Sequence, residues 1–220
     1  MPTARNISAN SKTANLSTNP RNHMLDKNFI LRKSLRHSYG QLVVEFGWEE
    51  IQLERENSLT YPDGSRYTGS FKEGRFNGKG TLTWPDGSRY EGQWVNDLPH
   101  GMGTILLSDG YRYEGQWQNG AAEGEGKETL PDGGRYTGQW KAGLKCGNGE
   151  MIYANGQRYH GEWKDGMCHG QGILMLSNGS TYEGEWIENH MAGQGILVSS
   201  DGDRFRGEWE GNNFKIIEVL

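Results

Sequence analysis

The stretch YEGQWVNDLPHGMGTILLSDGYR (90–112) decides the fold. Its first residues alternate Tyr90, Gly92 and Trp94 with Glu91 and Gln93. A period of two places the rings on one face of a strand and the polar groups on the other. The Tyr recurs every 23 residues without slip, at Tyr67, Tyr90, Tyr113, Tyr136, Tyr159 and Tyr182, with Phe205 at the next step. With each of these as position 1, position 3 is glycine from Gly69 to Gly207. Position 5 is Phe71, then Trp94, Trp117, Trp140, Trp163, Trp186 and Trp209. Positions 12 and 14 are glycine in all six full copies, and positions 20–21 read Asp-Gly or Asn-Gly. A pattern this regular marks a tandem repeat.

The composition agrees. The chain has 34 Gly, 10 Tyr and 8 Trp among 220 residues, and only 33% hydrophobic residues. A helical bundle is excluded, since each helical Gly costs about 1 kcal/mol relative to Ala. No Gly-X-Y period suggests collagen, and no apolar run is long enough for a membrane-spanning helix. The two cysteines, Cys146 and Cys168, are too few for a disulfide framework and fit a reducing compartment. No N-terminal apolar stretch reads as a secretory signal.

Charge divides the chain. Residues 1–40 hold seven Lys/Arg against one acid, whereas residues 41–220 carry a balance of −11. The first segment reads as a basic, disordered tail. Within it, residues 27–39 carry three readings: plain solvated tail, a short amphipathic helix at a membrane or partner surface with Arg32, Lys33 and Arg36 toward anionic lipid, or part of an organelle transit peptide. Residues 44–66 read as a degenerate capping repeat, 67–204 as six full repeats, and 205–220 as a partial repeat or C-terminal cap.

The spacing predicts hairpins. Position 7–8 pairs such as Asn119-Gly120 suit a two-residue type I′ turn, which sets Gly101 opposite Gly92 and Gly103 opposite Tyr90. A three-residue loop over positions 20–22, with its Gly left-handed, then sets Leu107 opposite Tyr113, Ile105 opposite Gly115 and Gly103 opposite Trp117. Glycines across from the rings leave them room to lie flat on the sheet. The predicted fold is all-β: an elongated, twisted antiparallel meander, one sheet with an aromatic-lined face.

The string 90–112 and its copies resemble MORN (membrane occupation and recognition nexus) repeats, through Y-x-G-x-W…G-x-G…D-G, over about 44–220. Phe71, Asp97 and Asn189 depart from the pattern. The resemblance implies a β array that scaffolds proteins, binds partner peptides in an aromatic groove, self-associates or sits near membranes. It does not imply catalysis.

Catalytic and metal motifs are weak. Gly78-Lys79 lacks the spacing of a phosphate loop. His100, Cys146 and His169 share position 11, two strands or about 9–10 Å apart, too far for one zinc ion with ligands at about 2.0–2.3 Å. Asp at position 20 caps its own turn. The acidic array opposes nucleic acid. The expectation is a protein without enzymatic activity, cofactor or metal. It binds a partner protein through Tyr90, Trp94, Tyr113, Trp117, Tyr136, Trp140, Tyr159, Trp163, Tyr182 and Trp186. The alternative is lipid binding through the tail or the position-23 Arg column, whose plainer reading is cross-strand pairing with Glu and Gln. Ile173, Met175, Ile196 and Val198 on the reverse face suggest self-association as a homodimer. The expected location is the cytoplasm, at a membrane or cytoskeletal surface.

Overall fold

The computed structural model of the chain describes residues 58–210 and 213–220, together with the strands β1 (Phe29–Ser38), β2 (Gln41–Glu50) and β3 (Gln52–Leu53). The remaining strands are β4 (Ser58–Thr60), β5 (Arg66–Lys72), β6 (Arg75–Thr83), β7 (Arg89–Val95), β8 (Leu98–Leu106), β9 (Arg112–Gln118), β10 (Ala121–Thr129), β11 (Arg135–Lys141), β12 (Leu144–Ile152), β13 (Arg158–Lys164), β14 (Met167–Met175), β15 (Thr181–Ile187), β16 (His190–Val198), β17 (Arg204–Glu210) and β18 (Asn213–Val219). From β3 to β18 each strand pairs antiparallel with the next. This is the single-sheet meander that the repeat predicts.

The N-terminal part departs from expectation. In place of the amphipathic helix read over 27–39 stands the strand Phe29–Ser38, paired along its length with β2. Phe29, Leu31 and Leu35 fit a period of two as well as a helical one, and the β-branched and aromatic residues of Val43–Trp48 favour a strand partner. Residues 1–28 lie outside the described residues. The capping repeat is partial: β2 pairs with β1, β3 folds back on β4 where full copies have one continuous strand, and only β4 keeps the repeat's register, against β5. In that copy positions 12 and 14 are Arg55 and Asn57 rather than glycine.

The turn at positions 7–8 is where it was expected. Val95 pairs with Leu98, and the turn residues Asn96 and Asp97 have φ of 48° and 72°, as a type I′ turn requires. Beyond it the register differs. Gly92 faces Gly103 and Gln93 faces His100, so Gly101 and Met102 bulge out between them. Gly101 has φ +62°, a left-handed conformation natural to glycine. The side chain of position 4 caps this bulge: Met102 N–H donates to Gln93 Oε1 at 3.1 Å, and Gln171 N–H to Glu162 Oε1 at 2.9 Å.

The other loop sits one residue earlier than expected. Leu107 N–H donates to the Tyr111 carbonyl at 2.8 Å and Gly110 N–H to the Leu107 carbonyl at 3.0 Å. The three-residue loop is therefore Ser108–Gly110, positions 19–21. Its last residue must be left-handed, and Gly110, with φ +92°, supplies that conformation. In consequence Ile105 rather than Leu107 faces Tyr113, Gly103 faces Gly115, and Gly101 faces Trp117.

Both shifts align the position-3 and position-14 glycines into one row across the sheet, each facing the next from Gly69 to Gly207. The Tyr rings lie over this row. Tyr90 Oη then donates to the Gln93 carbonyl at 3.1 Å, and Tyr113 Oη to that of Gln116 at 2.9 Å. Trp94 Nε1 donates to the Gly80 carbonyl at 3.0 Å, and Trp117 Nε1 to that of Gly103 at 3.1 Å. From Tyr90 to Tyr182 each column Tyr meets two Trp rings edge-on, as Tyr90 meets Trp94 at 4.8 Å and Trp117 at 5.3 Å between centroids, and Tyr67 meets Phe71 and Trp94 in the same way. These contacts run along the array as a continuous core.

Candidate functional site

The aromatic face is closed. Tyr90, Tyr113, Tyr136, Tyr159 and Tyr182 are 0% exposed, and Trp94, Trp117, Trp140, Trp163 and Trp186 are between 1% and 6% exposed. The expectation that these ten side chains line an open groove is therefore corrected: they are the core. Position 10 helps to cover them. Phe76 stacks on Tyr67 at 3.6 Å with an interplanar angle of 5°, and Pro99, Ala122 and Cys168 are buried at the equivalent place. The signal lay in position 10 being apolar in nearly every copy while its identity varied.

Burial has chemical consequences on this face. It pushes the Tyr67 and Tyr182 phenols up to about 12 and the other column tyrosines higher still. Burial also pushes the Cys168 thiol up to about 11, so it remains protonated and poorly nucleophilic. One position-10 residue is charged. Lys145 Nζ lies 2.7 Å from Glu128 Oε2 and 5.0 Å from the centre of the Tyr136 ring. Lys145 and Glu128 thus form a largely buried ion pair within the aromatic face. Glu128 stands between Tyr113 and Tyr136, where other repeats place Leu82, Ile105 or Met151.

The opposite, polar face is open. Over β5–β9 it forms a groove of about 740 Å³, walled by residues that include Lys79, Thr81, Arg89, Thr104 and Arg112. Met102, which also lines it, is 56% exposed. Its floor is the glycine row of positions 3 and 14, and its side chains come from positions 2, 4, 13, 15, 17 and 23, which vary between copies apart from the Arg column.

That column does not pair across strands with Glu and Gln as the plainer reading expected. Its cross-strand neighbours are Thr or aliphatic residues, such as Leu106 between Arg89 and Arg112. Arg112 makes an ion pair along its own strand, with Glu114 at 2.7 Å. Arg89, Arg135 and Arg158 are exposed.

The reverse-face apolar residues are brought onto one face but not into one patch. Ile173 and Met175 are 41% and 45% exposed, while Ile196 and Val198 are half-buried. Glu183 separates Ile173 from Ile196, and Thr181 separates Met175 from Val198. Residues Phe214–Val219 extend the sheet beside β17 rather than folding over this face. Arg32, Lys33 and Arg36 fall on β1, and their side chains lie outside the described residues.

Comparison with known proteins gives one family. The model of the MORN repeat matches residues 67–89, 90–110, 113–135, 136–158, 159–181 and 182–204. No curated protein matches the sequence. Among solved structures, the TCP10 domain of Danio rerio CPAP in complex with a peptide of STIL is similar at a TM-score of 0.43 and 12% identity, over 74% of this chain and 72% of that one. The TCP domain of Drosophila melanogaster SAS-4 in complex with a proline-rich motif of Ana2 is similar at 0.42 and 13%, over 81% and 90%. These are distant likenesses.

Proposed function

Because the chain belongs to the MORN-repeat family, we propose that it is a non-catalytic scaffold that takes an extended segment of a partner protein in the polar groove over β5–β9. The observation that carries this reading is the contrast between the two faces. One is sealed by its own rings; the other presents an open concavity of about 740 Å³, within the size range of ligand sites. A segment crossing the strands meets the same glycine floor and the position-23 Arg in successive repeats, so affinity grows with the number of repeats engaged, while the variable positions set which segment fits. The strand ladder preforms the groove, which limits the ordering cost of binding to the partner.

Site-specific photocrosslinking tests this. A photoreactive residue at Thr104, in the groove, is expected to give a protein adduct whose linked peptide maps to one partner segment. The same residue at Ser177, on an exposed loop, is expected to give none. Equal adducts at both sites, or none at Thr104, contradict the reading.

A further inference from the structure

The groove carries a regular spacing of cations, and the scaffold reading above gives that spacing a use. Arg89, Arg112, Arg135 and Arg158 occupy one row across the sheet. Leu106 stands between the first two, Thr129 between the second and third, and Ile152 between the last two. Successive arginines are thus two strands apart, about 9.4–9.8 Å. Arg89 and Arg112 line the open groove, and the row continues without a break through Arg158.

Few extended structures match that step. A polyproline II segment has three residues per turn and about 3.1 Å per residue, so it repeats every 9.3 Å or so. A β-strand returns a side chain to the same face about every 6.6–6.8 Å. Two turns of α-helix span about 10.8 Å, a misfit of about 1 Å that accumulates at each arginine. The residues between the arginines suit the same ligand, because Leu106 and Ile152 are half-buried apolar side chains against which proline rings can lie.

The sign of the ligand also follows from the rows. The arginines recur in every repeat from Arg66 to Arg158, whereas position 2 reads Thr68, Glu91, Glu114, Thr137, His160 and Glu183. A basic segment finds no acidic row of constant spacing. Within the row, among the described residues, only Arg112 is seen with a carboxylate, Glu114 at 2.7 Å in a half-exposed pair that a ligand can exchange, and the loop carboxylates serve their own turns: Asp109 Oδ1 accepts from Tyr111 N–H at 2.8 Å and Asp132 Oδ1 from Gly134 N–H at 2.8 Å. We propose that the groove selects a polyproline II-like partner segment that runs across the strands and carries Asp or Glu at every third residue, one for each arginine.

Defined peptides test this on the full chain, by fluorescence anisotropy at low salt. The probe is (Glu-Pro-Pro)4. The controls are a peptide of the same composition, (Glu-Glu-Pro-Pro-Pro-Pro)2, and (Lys-Pro-Pro)4. Exposed ion pairs contribute little each, so the regular peptide is expected to bind about tenfold more tightly than the permuted one, and the Lys peptide not measurably. Arg135→Ala/Arg158→Ala is expected to lose about tenfold with an unchanged circular dichroism spectrum, while Arg204→Ala, beyond the Thr181 interruption, changes affinity less than about twofold. Equal binding of the permuted peptide, an unaffected double variant, or no binding at all overturns the inference. So does tighter binding to phosphatidylserine vesicles than to any peptide. If the peptides fail while the Thr104 adduct persists, the spacing rule falls and the scaffold reading stands; loss of the Thr104 adduct removes both.

Discussion

A side chain at Gly103 would overlap the Tyr90 hydroxyl and ring, whereas one at Gly110 would meet nothing within 4 Å and suffer only the strain of φ +92°. The two glycines are therefore required for different reasons. Gly103→Ala is expected to destabilise by about 2–3 kcal/mol through overpacking, and Gly110→Ala by about 1–2 kcal/mol through backbone strain alone. Urea midpoints of the two variants check the order. The column tyrosines add a pH dependence. Their folded-state values lie above the unfolded value near 10, as in Tyr67 and Tyr182 at about 12. The stability they contribute is full below pH 10 and is lost as pH rises through 12, because the unfolded chain releases its protons first. Stability measured by urea titration is expected to fall steadily above pH 10, while the column tyrosines of the folded chain stay protonated and give no tyrosinate absorbance until about pH 12; a flat stability profile to pH 12 contradicts the buried column. The Lys145–Glu128 pair behaves differently. Glu128→Leu leaves a largely buried ammonium among rings and is expected to cost about 3 kcal/mol, while Glu128→Leu/Lys145→Met, which restores an all-apolar row, is expected to match the wild type or exceed it. Chemical denaturation of both variants decides this.

At the scale of the hairpin, two residues that break the repeat consensus join neighbouring repeats. Asp97 and Asn189 stand where other copies have the turn glycine. Phe76 N–H donates to Asp97 Oδ1 at 2.7 Å, and Cys168 N–H to Asn189 Oδ1 at 2.9 Å. In each case the side chain reaches back to position 10 of the preceding repeat. Asp97→Gly relieves φ +72° but deletes a charge-assisted bond, so it is expected to cost about 1 kcal/mol net; a gain in thermal midpoint contradicts the clamp. The sequence showed the turn at these positions and did not show the clamp, because a side-chain bond to a neighbouring repeat leaves no periodic trace. The bulge was hidden for another reason. The plain type I′ register sets Gly101 opposite Gly92 and gives it a place without a bulge, and the Gln or Glu at position 4 that caps the bulge has the sequence of an ordinary polar-face residue. The bulge displaces the hairpin register by two residues. The Tyr, Gly and Trp columns, the type I′ turn and a three-residue loop with a left-handed glycine are legible, since each is a local rule repeated in every copy; the loop's exact start is not, because Asp-Gly fits a loop over positions 19–21 or 20–22.

Across the whole molecule, each strand contacts chiefly its sequence neighbours, so the array is a quasi-one-dimensional stack. A single row of rings then serves as both hydrophobic core and inter-repeat joint. The aromatic excess made one face look like a binding surface, because a single sheet has no obvious second layer to cover it. The rings and the position-10 residues cover one another instead, and the reverse face, which the sequence offers for the Arg column and for an apolar self-association patch, carries the groove. The central claim is thus a closed aromatic face and an open polar one. Hydroxyl-radical footprinting of the free chain, read by mass spectrometry at each residue, tests it most directly. Tyr90, Trp94, Tyr113 and Trp117, at 2% exposure or less, are expected to be protected by comparison with the unfolded chain, while Met102 and Met175, at 56% and 45%, oxidise at close to the unfolded rate. Rapid oxidation of the four rings together with protection of Met102 would contradict the account.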